Sequence, residues 1–243
     1  MDNNKTPKSL KSKLMRKYYD SGLVSMSEIE ILEFILSYSE KKDVCSVAGN
    51  LLEYYGSINN ISKTDPKILL QDEMMCEHSA VLLKLIAVMS RAYNMDKDNI
   101  SKINCVDIAM HFLKNFYIGV SCEKVAVIAL EKDFTIKNHS FISSGTNADV
   151  KLSCRDISKF ALNNDTEMII MAHNHPLGQS EPSDADIFTT KQIIKALENI
   201  GVIVLDHIIV GQNDCFSMRE NFSDDIFKDV SDCGYIYNSK DIS

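Results

Sequence analysis

No two of the seven cysteines, at positions 45, 76, 105, 122, 154, 215 and 233, stand closer than 17 residues. The chain therefore lacks a C-x-x-C pair from which to build a thiolate zinc site or a dithiol redox centre. An odd number of scattered thiols reads as reduced, mostly packing cysteines. Long apolar runs are missing too: VAVIAL (125–130) and IGVIVL (200–205) fall far short of the roughly 20 residues of a membrane helix. The opening MDNNKTPKSLKSKL has no apolar h-region, so neither secretion nor a lipid anchor is indicated, and the cytoplasm is the expected location. Positive charge is scarce in the longer, C-terminal part, where residues 101–243 carry 13 basic against 20 acidic side chains. That balance repels a phosphate backbone. Only the first 17 residues, with Lys5, Lys8, Lys11, Lys13, Arg16 and Lys17 against Asp2 alone, suit nucleic acid, and contact with it is expected through that arm alone.

What is present is a chain of 243 residues, 45% hydrophobic, enough for one large or two ordinary domains with a sizeable core. The first hundred residues read as helices. SMSEIEILEFILSYS (25–39) offers Ser27 as N-cap with Glu30 three residues on, followed by Ile31, Phe34, Ile35 and Tyr38 at helical spacing. VCSVAGNLLEYYG (44–56) ends on a C-cap glycine, and SAVLLKLIAVMSRAY (79–93) is a long apolar helix. The polar MDKDNISKIN (95–104) is the linker expected next. After a short helix at about 105–115 the pattern changes. EKVAVIALE (123–131) and FTIKNHSFIS (134–143) read as paired strands, and a helix follows from about 153 to 163. The strand EMIIMAH (167–173), a helix over 184–199 and the strand VIVLDHIIV (202–210) complete it. The expectation is a helical domain over 1–100, an α/β layer domain over 101–222 and an acidic tail over 223–243.

The chemistry is concentrated in AHNHPLGQSEPSDAD (172–186). If the strand runs on into the histidines, its period of two sends His173 and His175 to one side, near enough to share an ion. Two imidazoles with a carboxylate make a nitrogen and oxygen set suited to Zn²⁺, with water in the fourth position, and Asp186 is the obvious carboxylate. Ser183 and Asp186 also spell S-x-x-D, a capping box that helix geometry alone explains. However, Asp186 lies within about 20° of Ile193 and Leu197 on the helical wheel, aimed inward, and both roles together are expected. The letters H-N-H carry no weight for the nuclease motif of that name, which is a dispersed constellation. Asp206 and His207 on the last strand read either as partners orienting ligands or as a histidine bonded to its neighbour.

The spacing H-x-H-x7-S-x-x-D from His173 to Asp186 resembles the JAMM motif of MPN-domain metallopeptidases. The fuller string HNHPLGQSEPSDADIFTT followed by VLDHIIVG resembles the RadC branch of that superfamily. Further matches are Glu123 opening an apolar strand, Ser144-Gly145-Thr146 after the second strand, and RDISKFAL (155–162), so the likeness covers about residues 101–220. It implies an α/β MPN (JAB/JAMM) domain, a mixed sheet packed with helices, preceded by a small helical domain. It also implies a zinc-dependent hydrolase cleaving a peptide or isopeptide amide, with His173, His175 and Asp186 as metal ligands. Glu123 would be the general base, and Ser183 would steady the tetrahedral intermediate. A non-catalytic MPN scaffold and a DNA-repair-associated factor are the alternatives. The front domain departs from the RadC pattern: QDEMMCEHSA (71–80) stands where a Gly-rich phosphate-gripping hairpin is expected.

Overall fold

The computed structural model describes residues 7–39, 43–71, 75–142, 153–176, 178–227 and 234–235. The chain divides into two compact units, Met1–Ala92 and Tyr93–Ser243.

The first unit is helical: α1 (Pro7–Ser21), α2 (Glu28–Leu36), α3 (Val44–Tyr55), α4 (Ile58–Lys63), α5 (Pro66–Leu69) and the greater part of α6 (Glu77–Asp98). Local chemistry starts and stops these helices. Ser27 and Glu30 form a complete capping box on α2, and Gly56 ends α3 at φ 78°, the left-handed conformation glycine adopts without a Cβ clash. Leu32, Leu36, Val47, Leu51, Ile61 and Leu83 form the core. The basic N-terminal segment is not a free arm beyond Pro7. It is helical, Leu14 is buried, the Lys17 ammonium lies 2.7 Å from Glu30, and the Lys11 ammonium sits over the Tyr38 ring. Residues 72–74 of the stretch compared with a phosphate-binding hairpin lie outside the described residues.

The second unit carries α7 (Val106–Phe116), β1 (Val125–Leu130), β2 (Ile136–Ile142), α8 (Cys154–Asn163), β3 (Met168–Asn174), α9 (Asp184–Glu198), β4 (Ile203–Val210), β5 (Cys215–Ser217) and α10 (Met218–Ile226). Its sheet has the order β2-β1-β3-β4-β5. Only the β3–β4 pair is parallel, so the sheet is mixed. β1 and β3 are buried along their whole length, as their unbroken apolar runs require of strands covered on both faces. Helix α9 covers the face that carries His207, bonded to it through Thr190. Helix α7 covers the opposite face, where Phe112 meets His139 of β2. The segment 95–104 belongs to this unit: Met95, Ile100 and Ile103 pack into its core. The short β5 was not read from the sequence, being only three residues long. In the acidic tail, Phe227 and Tyr235 are buried, because isolated aromatics in a polar segment still gain by covering a core. Residues 228–233 and 236–243 lie outside the described residues.

Candidate metal centre

Strand pairing brings the centre together. β3 pairs with β1 so that His173 faces Val125, and the same register carried two residues further sets Glu123 across from His175. His175 is still in the ladder, its N–H donating to Val210 O at 2.8 Å. The alternation of side chains along β3 therefore reaches both histidines, and they share a face. Their Nε2 atoms are 3.0 Å apart. Glu123, His173 and His175 bring one ligand atom each within 4.8 Å of one another. The fourth group arrives from α9, where Asp186 Oδ1 lies 3.5 Å from His173 Nε2.

Asp186 divides its carboxylate between two tasks. Oδ2 accepts hydrogen bonds from the Ser183 backbone N–H at 2.9 Å and its hydroxyl at 2.6 Å, while the Asp186 N–H donates to Ser183 Oγ at 3.2 Å. This is a full capping box. Oδ1 is left to face the histidine. Ile193 and Leu197 on the same stripe of α9 are fully buried, which is why the first turn of the helix is aimed at the sheet. Ser183 is thus at the rim of the centre with its hydroxyl hydrogen engaged by Asp186, and reaching a substrate requires it to let go.

Burial holds His173 and His207 neutral. The His173 imidazole is pushed down to about 4, chiefly by desolvation and further by His175, with Asp186 opposing. His207, fully buried, is held well below the usual histidine range by desolvation and by the two neighbouring rings. Partial desolvation raises the Glu123 carboxyl, with Asp186 adding to the rise and His175 opposing it.

The donor set fits a zinc ion. Ligand atoms 2.0–2.1 Å from a tetrahedral zinc stand about 3.3 Å from each other, and the two separations of 3.0 and 3.5 Å around His173 Nε2 bracket that value. His175 Nδ1 lies 2.7 Å from Gln179 O. A carbonyl only accepts, so Nδ1 carries a hydrogen, and in the neutral ring Nε2 presents a lone pair. Neutral imidazoles and a carboxylate are the protonation states that ligation needs.

Several residues that the sequence did not flag support these groups. Asn174, between the two histidines, points to the other face and is buried. Its Oδ1 accepts the Lys124 N–H at 2.8 Å and its Nδ2 donates to Cys122 O at 3.2 Å, so it clamps the backbone on both sides of Glu123. The Tyr117 hydroxyl lies 2.9 Å from Lys124 O and 3.1 Å from Ala172 O. The available signal was the period of two, which puts Asn174 inside and obliges a buried amide to find partners. The pairing of Asp206 with His207 through side chains is not found. Asp206 lies on the other face and accepts from the His207 and Arg219 N–H groups and the Ser217 hydroxyl, and burial raises it to about 6. The Ser144-Gly145-Thr146 match lies outside the described residues.

A mixed sheet bearing an H-x-H pair at one strand end and an inward acid on the following helix defines the JAB class, and residues 103–223 match the RadC-like JAB domain. The chain belongs to the RadC family. It is 31% identical over 220 residues to the UPF0758 protein FN0909 of Fusobacterium nucleatum subsp. nucleatum, covering 86% of this chain and 94% of that protein. No helix among the described residues is long and apolar enough to cross a membrane.

Proposed function

We propose that this protein is a zinc-dependent hydrolase that cleaves an amide bond in a peptide or protein substrate. The observation that carries the reading is the convergence of His173, His175 and Glu123 at one strand end, with the Asp186 carboxylate 3.5 Å from His173 Nε2. His173, His175 and Asp186 would hold the ion, leaving one position open. Zinc bound there would supply a water whose pKa is lowered towards about 7 and a Lewis acid for the substrate carbonyl. Glu123 would serve as general base towards water at the open position and as general acid towards the leaving amine nitrogen, and its raised affinity for protons suits it to both roles. Ser183, once released by Asp186, donates its hydroxyl hydrogen to the developing oxyanion. Asn174 and Tyr117 keep the Glu123 backbone from drifting, since general-base catalysis needs the carboxylate within hydrogen-bond reach of the proton.

The test is Glu123→Gln. Zinc-loaded wild type and variant are incubated with a defined peptide library, and new amino termini are read by mass spectrometry. The expected result is an equal zinc content with cleavage reduced by a factor on the order of 10² or more. Equal cleavage by both proteins would overturn the mechanism, and loss of zinc would make Glu123 a ligand.

A further inference from the structure

The parallel register of β3 and β4 pairs Met171 with His207 and His173 with Ile209. His207 therefore lies on the same face as His173, one step back on the adjacent strand. It is fully buried. Its Nε2 is 2.8 Å from His173 Nδ1, and its Nδ1 is 2.7 Å from the Thr190 hydroxyl of α9. Thr190 Oγ1 is in turn 2.6 Å from the backbone carbonyl of Asp186.

The direction of every hydrogen in this chain follows from its last member. A carbonyl oxygen only accepts, so the single Thr190 hydrogen goes to Asp186 O. The alternative acceptor, the Met218 sulfur at 3.6 Å, is a weak one, and two oxygens 2.6 Å apart without a hydrogen between them repel. His207 Nδ1 must then donate to Thr190 Oγ1. With its hydrogen on Nδ1, a neutral His207 has a bare Nε2, which accepts from His173 Nδ1–H. The remaining possibility is a doubly protonated His207, an imidazolium fully buried with Asp206 on the other face of the sheet, at a high desolvation cost. His173 is left with a lone pair on Nε2, as is a neutral His175 through Gln179 O.

We infer that Thr190 and His207 are positioning residues, a hydrogen-bond relay from α9 through β4 that locks the His173 ring with its Nε2 lone pair facing Glu123, His175 and Asp186. The relay leaves the His173 Nε2 lone pair 3.0 Å from His175 Nε2, and when both rings are neutral the two bare nitrogens repel until a cation lies between them. Because the relay starts at the carbonyl of Asp186, the helix turn that presents the carboxylate also sets the histidine tautomer. The inference rests on the proposed metal centre for its purpose, though not for its geometry.

Two measurements on the full-length protein test it. The first is ¹⁵N NMR of the imidazoles in metal-free protein, with His173 assigned by substitution. The expected spectrum shows His173 protonated at Nδ1 and bare at Nε2; a His173 protonated at Nε2 in wild type would overturn the relay without any variant. The second is zinc affinity by competition with a chromophoric chelator for wild type, Thr190→Val and Thr190→Ser. Valine keeps the shape and loses the hydroxyl, whereas serine restores it. Removing a group that orients a ligand typically costs 10- to 100-fold in metal affinity, so the valine variant is expected to lose about that much, with serine recovering most of it. Equal affinities in all three, or an equal loss in valine and serine, would also overturn it. A wild type that binds no zinc but shows the expected His173 tautomer would defeat the proposed function while leaving the relay standing.

Discussion

Asp186 shows how much one side chain can be asked to do. Its Oδ2 closes the capping box of α9 and its Oδ1 faces His173, so substitutions separate the two roles. Asp186→Ala is expected to lose the metal and also about 1 kcal/mol of stability from the cap. Asp186→Asn, which retains an oxygen and an amide, should keep most of the cap while binding zinc far more weakly. Chemical denaturation of the metal-free proteins reads the first effect, and metal analysis after dialysis reads the second. His173→Ala combined with His175→Ala is expected to abolish bound zinc, and a zinc content equal to wild type would disprove the assigned site. The residue scale is also where the sequence was most informative. Period two in a strand and 100° per residue in a helix place His173, His175 and Asp186 on defined faces before any fold is known. By contrast, Thr190 carries no local signal, and for His207 the sequence leaves ligand orientation and bonding to its neighbour equally open; the contact with His173 decides for the first.

At the scale of elements, residues 178–180 are held by the turn between β4 and β5. Gln212 N–H donates to Gly178 O at 3.0 Å, and a Cβ on Gly211 would lie 2.8 Å from the Ser180 backbone nitrogen, closer than real Cβ atoms approach backbone. Gly211→Ala must therefore push residues 178–180 outwards, and with them Gln179 O, the partner of His175 Nδ1. The expected outcome is a fall in zinc affinity alongside some loss of stability, measured by chelator competition and urea denaturation; unchanged affinity would show that the loop does not hold the His175 ring. For the first helix, Lys17 and Lys11 are already engaged by Glu30 and Tyr38. Deleting residues 1–17 would remove the buried Leu14 along with the charge. Changing Lys8, Lys13 and Arg16 to Gln is the cleaner test of nucleic-acid contact. The proposal is weak, salt-sensitive duplex binding that this triple variant abolishes in a low-salt titration. Undiminished binding would move the contact to another surface.

For the whole molecule, the buried histidines make metal-free stability depend on pH. His173 titrates near 6.5 when unfolded but at about 4 when folded, and His207 is depressed in the same direction. Between those values the unfolded chain binds protons that the native state refuses, so stability is lost as pH falls from about 6.5 towards 4. Asp206 acts oppositely. Raised to about 6 when folded, it takes a proton in the native state first and returns stability as pH falls through that value. Two histidines stand against one aspartate, and a lower stability is expected at pH 5 than at pH 7. Urea midpoints in the presence of chelator check this, and a flat profile would mean that the histidines are not held neutral by burial. Zinc at 100 times its dissociation constant should add about 2.7 kcal/mol of stability, lost again on chelation.

Local pattern alone specifies the order of the main elements, the apolar strands of a sheet with helices packed on it, and which side chains share a face. These depend on local periodicity and capping, which a short window of residues contains. It placed α3, β1, β3, α9 and β4 within one or two residues of where they lie, and ran α2 three residues past its end at Leu36. It did not reveal the helical state of the basic segment, whose burial of Leu14 depends on helices later in the chain, or the three-residue β5. Only the tertiary structure decided that Glu123 stands over the histidines about 50 residues downstream, because antiparallel pairing of β1 with β3 is a long-range choice of register. Only it decided that Asn174 clamps the backbone around Glu123 and that His207 directs the lone pair of His173. A hydrogen bond between strands is set by which strands are neighbours and how they slide against each other, and neither is written in any one segment.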